Sequence, residues 1–209
     1  MVFKFTKKEI IWIIISIIIL GFIIEFSLDY SLTFKGFIYA TIIILTSVLI
    51  KNLAADYFFV DINHKIWEFQ RYGFYKRSKF KKPIPIGLIL PFFISFFSIG
   101  TLKIMTILQF DAKPSKKRIL KKRGKIRKTE VNESDLAFIS AWASGGLILL
   151  AIISSLINQP ELSKYAIYYG FWNLIPFGQL DGSKLFFGSF INWILLLIVY
   201  LISLIIIIL

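Results

Sequence analysis

The chain has 209 residues, of which 57% are hydrophobic, and a formal net charge of +13. Soluble domains contain roughly 45–50% apolar residues, and a bilayer-spanning helix needs about 20 consecutive apolar residues. Several runs of this chain approach or exceed that length, so a soluble globular domain is excluded and an all-α polytopic membrane protein is predicted. No cysteine is present, which excludes disulfides, thiolate zinc ligands and a cysteine nucleophile.

The basic residues are concentrated in two segments. Ten Lys or Arg residues lie between positions 113 and 128, and six lie between positions 71 and 82. Short basic loops beside membrane helices are typical of positive charge that is kept on the cytoplasmic side and attracted there to anionic lipid. We therefore predict a multi-pass protein of the cell membrane with a cytoplasmic N-terminus, basic loops on anionic lipid, and no nucleic-acid partner.

Apolar periodicity predicts a single membrane domain over residues 1-209 with about five transmembrane helices. Their expected ranges are about 9-28, 36-60, 135-158, 164-180 and 186-209. The first run is too long for the hydrophobic region of a signal peptide and lacks a small-residue cleavage pattern, so it is predicted to be retained. Residues 132–135 read Asn-Glu-Ser-Asp, a helix-start pattern, and residues 143–146 are small enough to let helix backbones approach.

Between the second and third helices lies a predicted insertion, 61-110, that is partly extended. Asp61 to His64 is expected to form a turn, and Ile66 to Phe80 one or two strands. Basic segments flank the apolar stretch from Pro83 to Phe110 on both sides, so the positive-inside rule places both of its ends in the cytoplasm. This favours a re-entrant hairpin or membrane-dipping sheet that turns near Ser98 and Gly100. A basic cytoplasmic loop, 111-130, is expected to follow.

One carboxylate stands inside the apolar C-terminal half of the chain. Residues 173–182 read Asn-Leu-Ile-Pro-Phe-Gly-Gln-Leu-Asp-Gly, and Asp181 is the only acidic residue among them. An ionisable group at membrane depth is energetically expensive and marks a functional-site hypothesis by default. Pro176 predicts a helix break just before it.

The pattern N-x-x-P-x-x-x-L-D-G resembles the second signature of the site-2 protease family of intramembrane zinc metalloproteases. The resemblance is clear over about residues 165–190. It implies a site-2-protease-like core, with Asp181 at the position of the third zinc ligand and Pro176 turning it towards the metal. It also implies a substrate groove that contains Asn173, Pro176, Leu180 and Gly182. The first two zinc ligands of that family come from an H-E-x-x-H helix, which a chain with one histidine cannot contain.

Two segments compete for the position of the missing ligands. Residues 49–56 resemble the family's L-x-H-E-L-A-H-x stretch, with Lys51, Asn52 and Ala55 in place of His, Glu and His. Residues 60–64 retain one histidine, His64. At about 1.5 Å per residue, Lys51 and Asp181 lie roughly 20 and 25 Å inward along their helices. His64 would lie about 40 Å along, beyond a core of about 30 Å, so the first segment is preferred.

On that alignment Lys51 takes the place of a zinc ligand. A buried Asp181 without zinc needs a counter-charge or a proton, because desolvation disfavours the ionised carboxylate. We therefore predict an ion pair between Lys51 and Asp181, with Asn52 and Asn173 as hydrogen-bond partners. The alternative is that Lys51 extends towards the cytoplasmic interface.

Two further constellations stay open. Asp61, His64 and Glu68 would share one face if helical and could offer metal ligands, although their expected extended structure argues against joining them to Asp181. Ser47 and Lys51 are spaced i, i+4 and could form a Ser–Lys dyad.

The sequence thus predicts a site-2-protease-like integral membrane protein that is proteolytically inactive and has no cofactor. Its vestigial site would comprise Asp181, Lys51, Asn52 and Asn173, and its partner would be a transmembrane-helix client or an active protease relative. One alternative is an intramembrane metalloprotease with unorthodox ligands, in which zinc binds Asp181. Another is a small membrane scaffold or transporter component that uses the Lys51/Asp181 pair.

Overall fold

The computed structural model describes residues 5–26, 34–71, 79–115 and 130–208, which form seven helices and four strands. The N-terminal elements are α1 (Lys7–Glu25), α2 (Lys35–Tyr57), β1 (Val60–Ile66), β2 (Phe69–Arg71) and β3 (Lys79–Ile84). The remaining elements are α3 (Ile86–Phe97), β4 (Leu108–Pro114), α4 (Glu133–Leu156), α5 (Pro160–Leu174), α6 (Asp181–Gly188) and α7 (Phe190–Ile208).

Three helices are long and apolar enough to cross a membrane, by length and composition, among the residues described: α2, α4 and Phe190–Ile207 of α7. They confirm a helical protein of membrane type. The other two predicted crossings, at 9-28 and 164-180, do not belong to this set. Helix α1 carries charges at both ends, including Lys7, Glu9 and Glu25, and α5 has only 15 residues.

Helix α4 lies at the centre of the bundle, against α2, α5 and α6. Its predicted start is confirmed, because Asn132 caps it and Asp135 closes a capping box. The small residues of α4 permit close packing: a side chain at Gly146 would collide with Ile50 of α2. On the far side the buried Tyr200 of α7 donates a 2.8 Å hydrogen bond to the Ser144 carbonyl.

The insertion forms two small antiparallel sheets, β1 with β4 and β2 with β3. The turn expected at residues 61–64 is wrong: those residues belong to β1, and the chain instead reverses at Phe59, which has a positive φ of 56°. After this reversal β1 runs back against α1 and α2. The turn after α3 is present, with positive φ at Ile99 and Gly100, but regular strand structure resumes only at Leu108.

Two predicted boundaries need correction at the C-terminal end of the insertion and in the fourth helix. The loop placed at 111-130 begins later, because β4 continues to Pro114; residues 116–129 lie outside the described ranges. The helix placed at 164-180 begins at Pro160 and ends at Leu174. A six-residue break, 175–180, then precedes the short helix α6.

Candidate functional site

The centre of the bundle contains a buried ion pair. Lys51 Nζ of α2 lies 2.6 Å from Asp181 Oδ2 at the start of α6, with side chains only 2% and 5% exposed. The predicted pairing of these two residues is therefore confirmed. It excludes an extension of the Lys51 side chain towards the interface, since the ammonium is held inside the bundle.

The break between α5 and α6 places Asp181 opposite Lys51. Pro176 has no backbone N–H to extend α5, and Gly178 adopts a φ of +63° that side-chain-bearing residues disfavour. Gly182 is required for a different reason: a Cβ there would collide with the carbonyls of Leu174 and Ile175. Only glycine thus lets the first turn of α6 approach the last turn of α5.

Contacts from α7, from β4 and from the β1–β2 connection fix this break. Trp193 of α7 donates its indole N–H to the Leu174 carbonyl at 2.9 Å, which satisfies an acceptor left free at the end of α5. The amide of Gln109 in β4, fully buried, donates to Gln179 Oε1 at 3.0 Å. Phe177 packs edge-on against Trp67. The position of Asp181 is therefore determined by tertiary contacts as well as by the motif.

A second cation, Lys184, lies beside the pair and was missed in the sequence. Its Nζ donates to the Phe110 carbonyl at 2.6 Å and sits 3.2 Å from the centroid of the Phe110 ring. Lys51 Nζ lies 5.5 Å from the same ring. The i, i+3 spacing of Asp181 and Lys184 was a readable signal, because residues so spaced are neighbours on a helix.

His64 also lies at this site, contrary to the depth estimate that separated it. Its Nε2 is 3.3 Å from Asn52 Nδ2, and its backbone N–H donates to Glu9 Oε1 at 2.9 Å. Since an amide NH₂ only donates, Nε2 accepts and the proton of the neutral ring is on Nδ1. Desolvation, followed by the charges of Lys51 and Lys184, holds the pKa of His64 well below its usual 6.5. The ring is accordingly uncharged near neutral pH.

The two asparagines do not have the predicted role. Asn52 Nδ2 donates to the Val48 carbonyl at 2.8 Å, and Asn173 Nδ2 donates to the Tyr169 carbonyl at 2.8 Å. Each amide thus bonds back to its own helix, as polar residues in apolar helices often do. Within the described part of the chain, Asn173 Oδ1 and Asp181 Oδ1 are buried without a hydrogen-bond partner.

Three of the four residues predicted to line a substrate groove are buried. Asn173, Leu180 and Gly182 are buried, and of the four residues only Pro176 is exposed. A groove lined by these side chains would need α5 and α6 to separate.

The geometry of the described residues does not match the two alternative sites, a metal site at Asp61, His64 and Glu68 and a Ser47–Lys51 dyad. Asp61 and His64 lie on opposite faces of β1, one exposed and one buried, so they do not converge on a metal. Across the described ranges, no group of three or more His, Asp or Glu residues is placed to hold a metal ion. Lys51 is engaged by Asp181, so Ser47 has no free amine beside it.

Comparison with known proteins adds no relative: no family model, no curated protein and no solved structure matches this chain. The resemblance to site-2 proteases therefore stays a prediction from the sequence motif alone. Chemically, the site is a buried carboxylate neutralised by one ammonium, with a second ammonium and a neutral imidazole nearby.

Proposed function

We propose that this protein is a non-proteolytic membrane protein with a site-2-protease-like core, which binds the transmembrane helix of a partner protein. The observation that supports a non-proteolytic protein is the 2.6 Å contact between Lys51 and Asp181. By resemblance, Lys51 stands where such proteases have their first zinc ligand. A cation of the chain itself thus neutralises the carboxylate that would otherwise bind metal.

The surroundings of Asp181 also disfavour zinc chemistry. A catalytic zinc site needs three protein ligands and one open position for water. Glu9 and His64 are the other potential ligands nearby. However, Glu9 accepts a hydrogen bond from the backbone N–H of His64, and the ring Nε2 of His64 faces Asn52. Lys51 and Lys184 add positive charge, which repels a divalent cation.

Helix α4 offers a surface for a partner helix. Trp142 is 63% exposed on its outer side, and a Cβ at Gly145 would meet no atom within 4 Å. Glycine inside a helix costs about 1 kcal/mol relative to alanine, and no contact within the described chain accounts for this one. Gly145 and Ala141, which also packs against the bundle core, have the small-xxx-small spacing that lets membrane helices approach closely. We call residues 138–149 on this side the α4 outer face.

We further infer five membrane crossings, with α1 and the broken pair α5–α6 joining α2, α4 and α7. Helix α1 packs along α2, and its 19 residues extend about 28 Å, close to the roughly 30 Å of a bilayer core. The insertion would then enter and leave on one side, with the basic loops on anionic lipid at the cytoplasmic surface.

The metal content of the purified protein tests the non-proteolytic part of the proposal. We expect no bound zinc in detergent-purified wild-type protein or in Asp181→Ala. Near-stoichiometric zinc that is lost in Asp181→Ala would overturn this part and favour a metalloprotease with unorthodox ligands.

Site-specific photo-crosslinking tests the partner helix. A photoreactive amino acid at Trp142 should give adducts with another membrane protein, and Gly145→Ile should abolish them. Leu195, 57% exposed on α7, is the matched control position and should give none. Equal adducts from both positions, or adducts that survive Gly145→Ile, would contradict the proposed surface.

A second candidate function is proton or ion movement through the bundle. The buried Asp181 Oδ1 and Asn173 Oδ1 have no hydrogen-bond partner among the described residues, which favours a site where a proton or an ion binds. Ion flux into vesicles that falls on Asp181→Asn would support this candidate, and unchanged flux would exclude it.

A further inference from the structure

A cavity of about 420 Å³ opens at the end of the bundle where α5 begins and α7 approaches its end. One wall is formed by residues 100–103 after α3, and the other by residues 164–172 of α5. Leu204 of α7 closes the apolar part. We call this the outer cavity, because by charge bias this end lies opposite the basic cytoplasmic segments.

The charged residues that line the outer cavity are both cationic. Lys103 and Lys164 are among its described lining residues, whereas the nearby Glu25 and Glu161 are not. One oxygen of Glu25, at the end of α1, accepts the N–H of Gly36, at the start of α2. An anion inside the cavity would therefore meet two ammonium groups and no carboxylate of the lining.

Lys103 is held in position for such a contact. Its Nζ donates to the Ile24 carbonyl at 2.7 Å and lies 5.3 Å from the centroid of the Tyr165 ring. Burial, with the charge of Lys164, lowers the pKa of Lys103 despite the opposing charges of Glu25 and Glu161. A bound anion would relieve the repulsion between the two lysines.

The lining changes from polar to apolar along α5. Lys164, Tyr168 and Phe171 or Trp172 follow at helical spacing on one face and extend about 12 Å inward. Tyrosine favours the membrane interface, where one end of the ring is wet and the other apolar. The cavity thus begins with cations and ends with Phe171, Trp172 and Leu204, which suit an acyl chain.

We propose that the outer cavity binds one phospholipid whose head group carries a net negative charge. The phosphate lies between Lys103 and Lys164, and one acyl chain follows Phe171 and Leu204 into the bilayer. The volume lies within the roughly 300–1,000 Å³ of small-molecule sites, enough for the head group and the first part of a chain. This site is independent of the ion pair and of the α4 outer face.

Native mass spectrometry of the full chain in detergent tests the proposal, with phosphatidylglycerol and phosphatidylcholine of identical acyl chains as probes. We expect one phosphatidylglycerol to bind in preference to phosphatidylcholine. Lys103→Met with Lys164→Met should weaken it by about 25-fold, since each lysine contributes about fivefold. Lys35→Met is the matched control: this exposed lysine lies at the same end of the bundle but outside the cavity, and its loss should leave binding unchanged.

Three outcomes would overturn the proposal. Equal binding of phosphatidylcholine would show an unselective lipid contact. Binding that survives the double variant would belong to the basic loops instead. Competition by glycerol phosphate at the same affinity would indicate a soluble-anion site. If the double variant does not fold, Lys164→Met alone decides, because Lys164 is exposed; it should weaken binding about fivefold.

Discussion

Two Lys–Asp ion pairs of this protein have almost the same geometry and very different surroundings. Lys51 and Asp181 lie 2.6 Å apart inside the bundle, with side chains 2% and 5% exposed. Lys65 and Asp111 lie 2.8 Å apart across β1 and β4, with side chains 28% and 46% exposed. Water and salt replace a surface pair at little cost, whereas a buried charge without its partner has no substitute. Burial, rather than distance, decides how strongly each pair holds the fold.

Removal of one buried partner should have the largest effect. Lys51→Met is expected to lower the free energy of unfolding by about 3–5 kcal/mol, because it leaves the Asp181 carboxylate uncompensated. Asp181→Leu should cost at least as much, since it leaves Lys51 and Lys184 together. Unfolding in mixed micelles, followed by circular dichroism, measures both. Wild-type stability in Lys51→Met, together with reaction of Asp181 with a carboxyl reagent, would refute the pair's role.

The double variant separates pairing from burial. Lys51→Met combined with Asp181→Leu replaces both charges by apolar side chains, which is often neutral or even stabilising. We expect it to be more stable than either single variant, with a coupling energy of about 3 kcal/mol in a double-mutant cycle. Additive losses would mean that each residue acts through separate contacts.

The pH dependence of stability should also report on the buried region, where His64 lies beside the Lys51–Asp181 pair. The pKa of His64 is well below 6.5 in the folded state because of desolvation, Lys51 and Lys184. As the pH falls, His64 therefore takes up a proton in the unfolded chain before it does so in the folded chain. The stability contributed by a neutral His64 is present in full above about pH 6.5. Stability should fall below that pH by up to about 1.4 kcal/mol per unit until the folded-state pKa is reached. His64→Gln removes this component, and parallel curves for the two proteins would exclude it.

The surface pair should give the smallest effect. Lys65→Met is expected to change the free energy of unfolding by less than about 1 kcal/mol, and the change should shrink at about 1 M salt. Unfolding of this variant at low and high salt measures both quantities. A loss as large as that of Lys51→Met would contradict the comparison.

The sequence was sufficient to predict the Lys51–Asp181 pair and the helix break at Pro176, but not the path of the chain between them. Lys51 and Asp181 stand in apolar segments, so each needed a partner, and few others were available. The predicted depth of His64 was wrong because it assumed a continuous helix, whereas the chain reverses direction at Phe59. No typical turn residue marks this reversal, since a phenylalanine adopts the positive φ. The roles of Asn52 and Asn173 were wrong because an amide in an apolar helix bonds to the nearest carbonyl of its own backbone.

The separation of the pair along the chain has a consequence for synthesis. Lys51 and Asp181 are 130 residues apart, and a ribosome adds about 5–20 residues per second. On the membrane topology inferred above, α2 enters the membrane with an uncompensated lysine for about 6.5–26 s before its counter-charge exists. We expect α2 to stay loosely inserted, or close to the insertion machinery, until α6 arrives. The neutralisation of a charge that entered the membrane early would then be a late folding event, completed when Trp193 of α7 binds the end of α5.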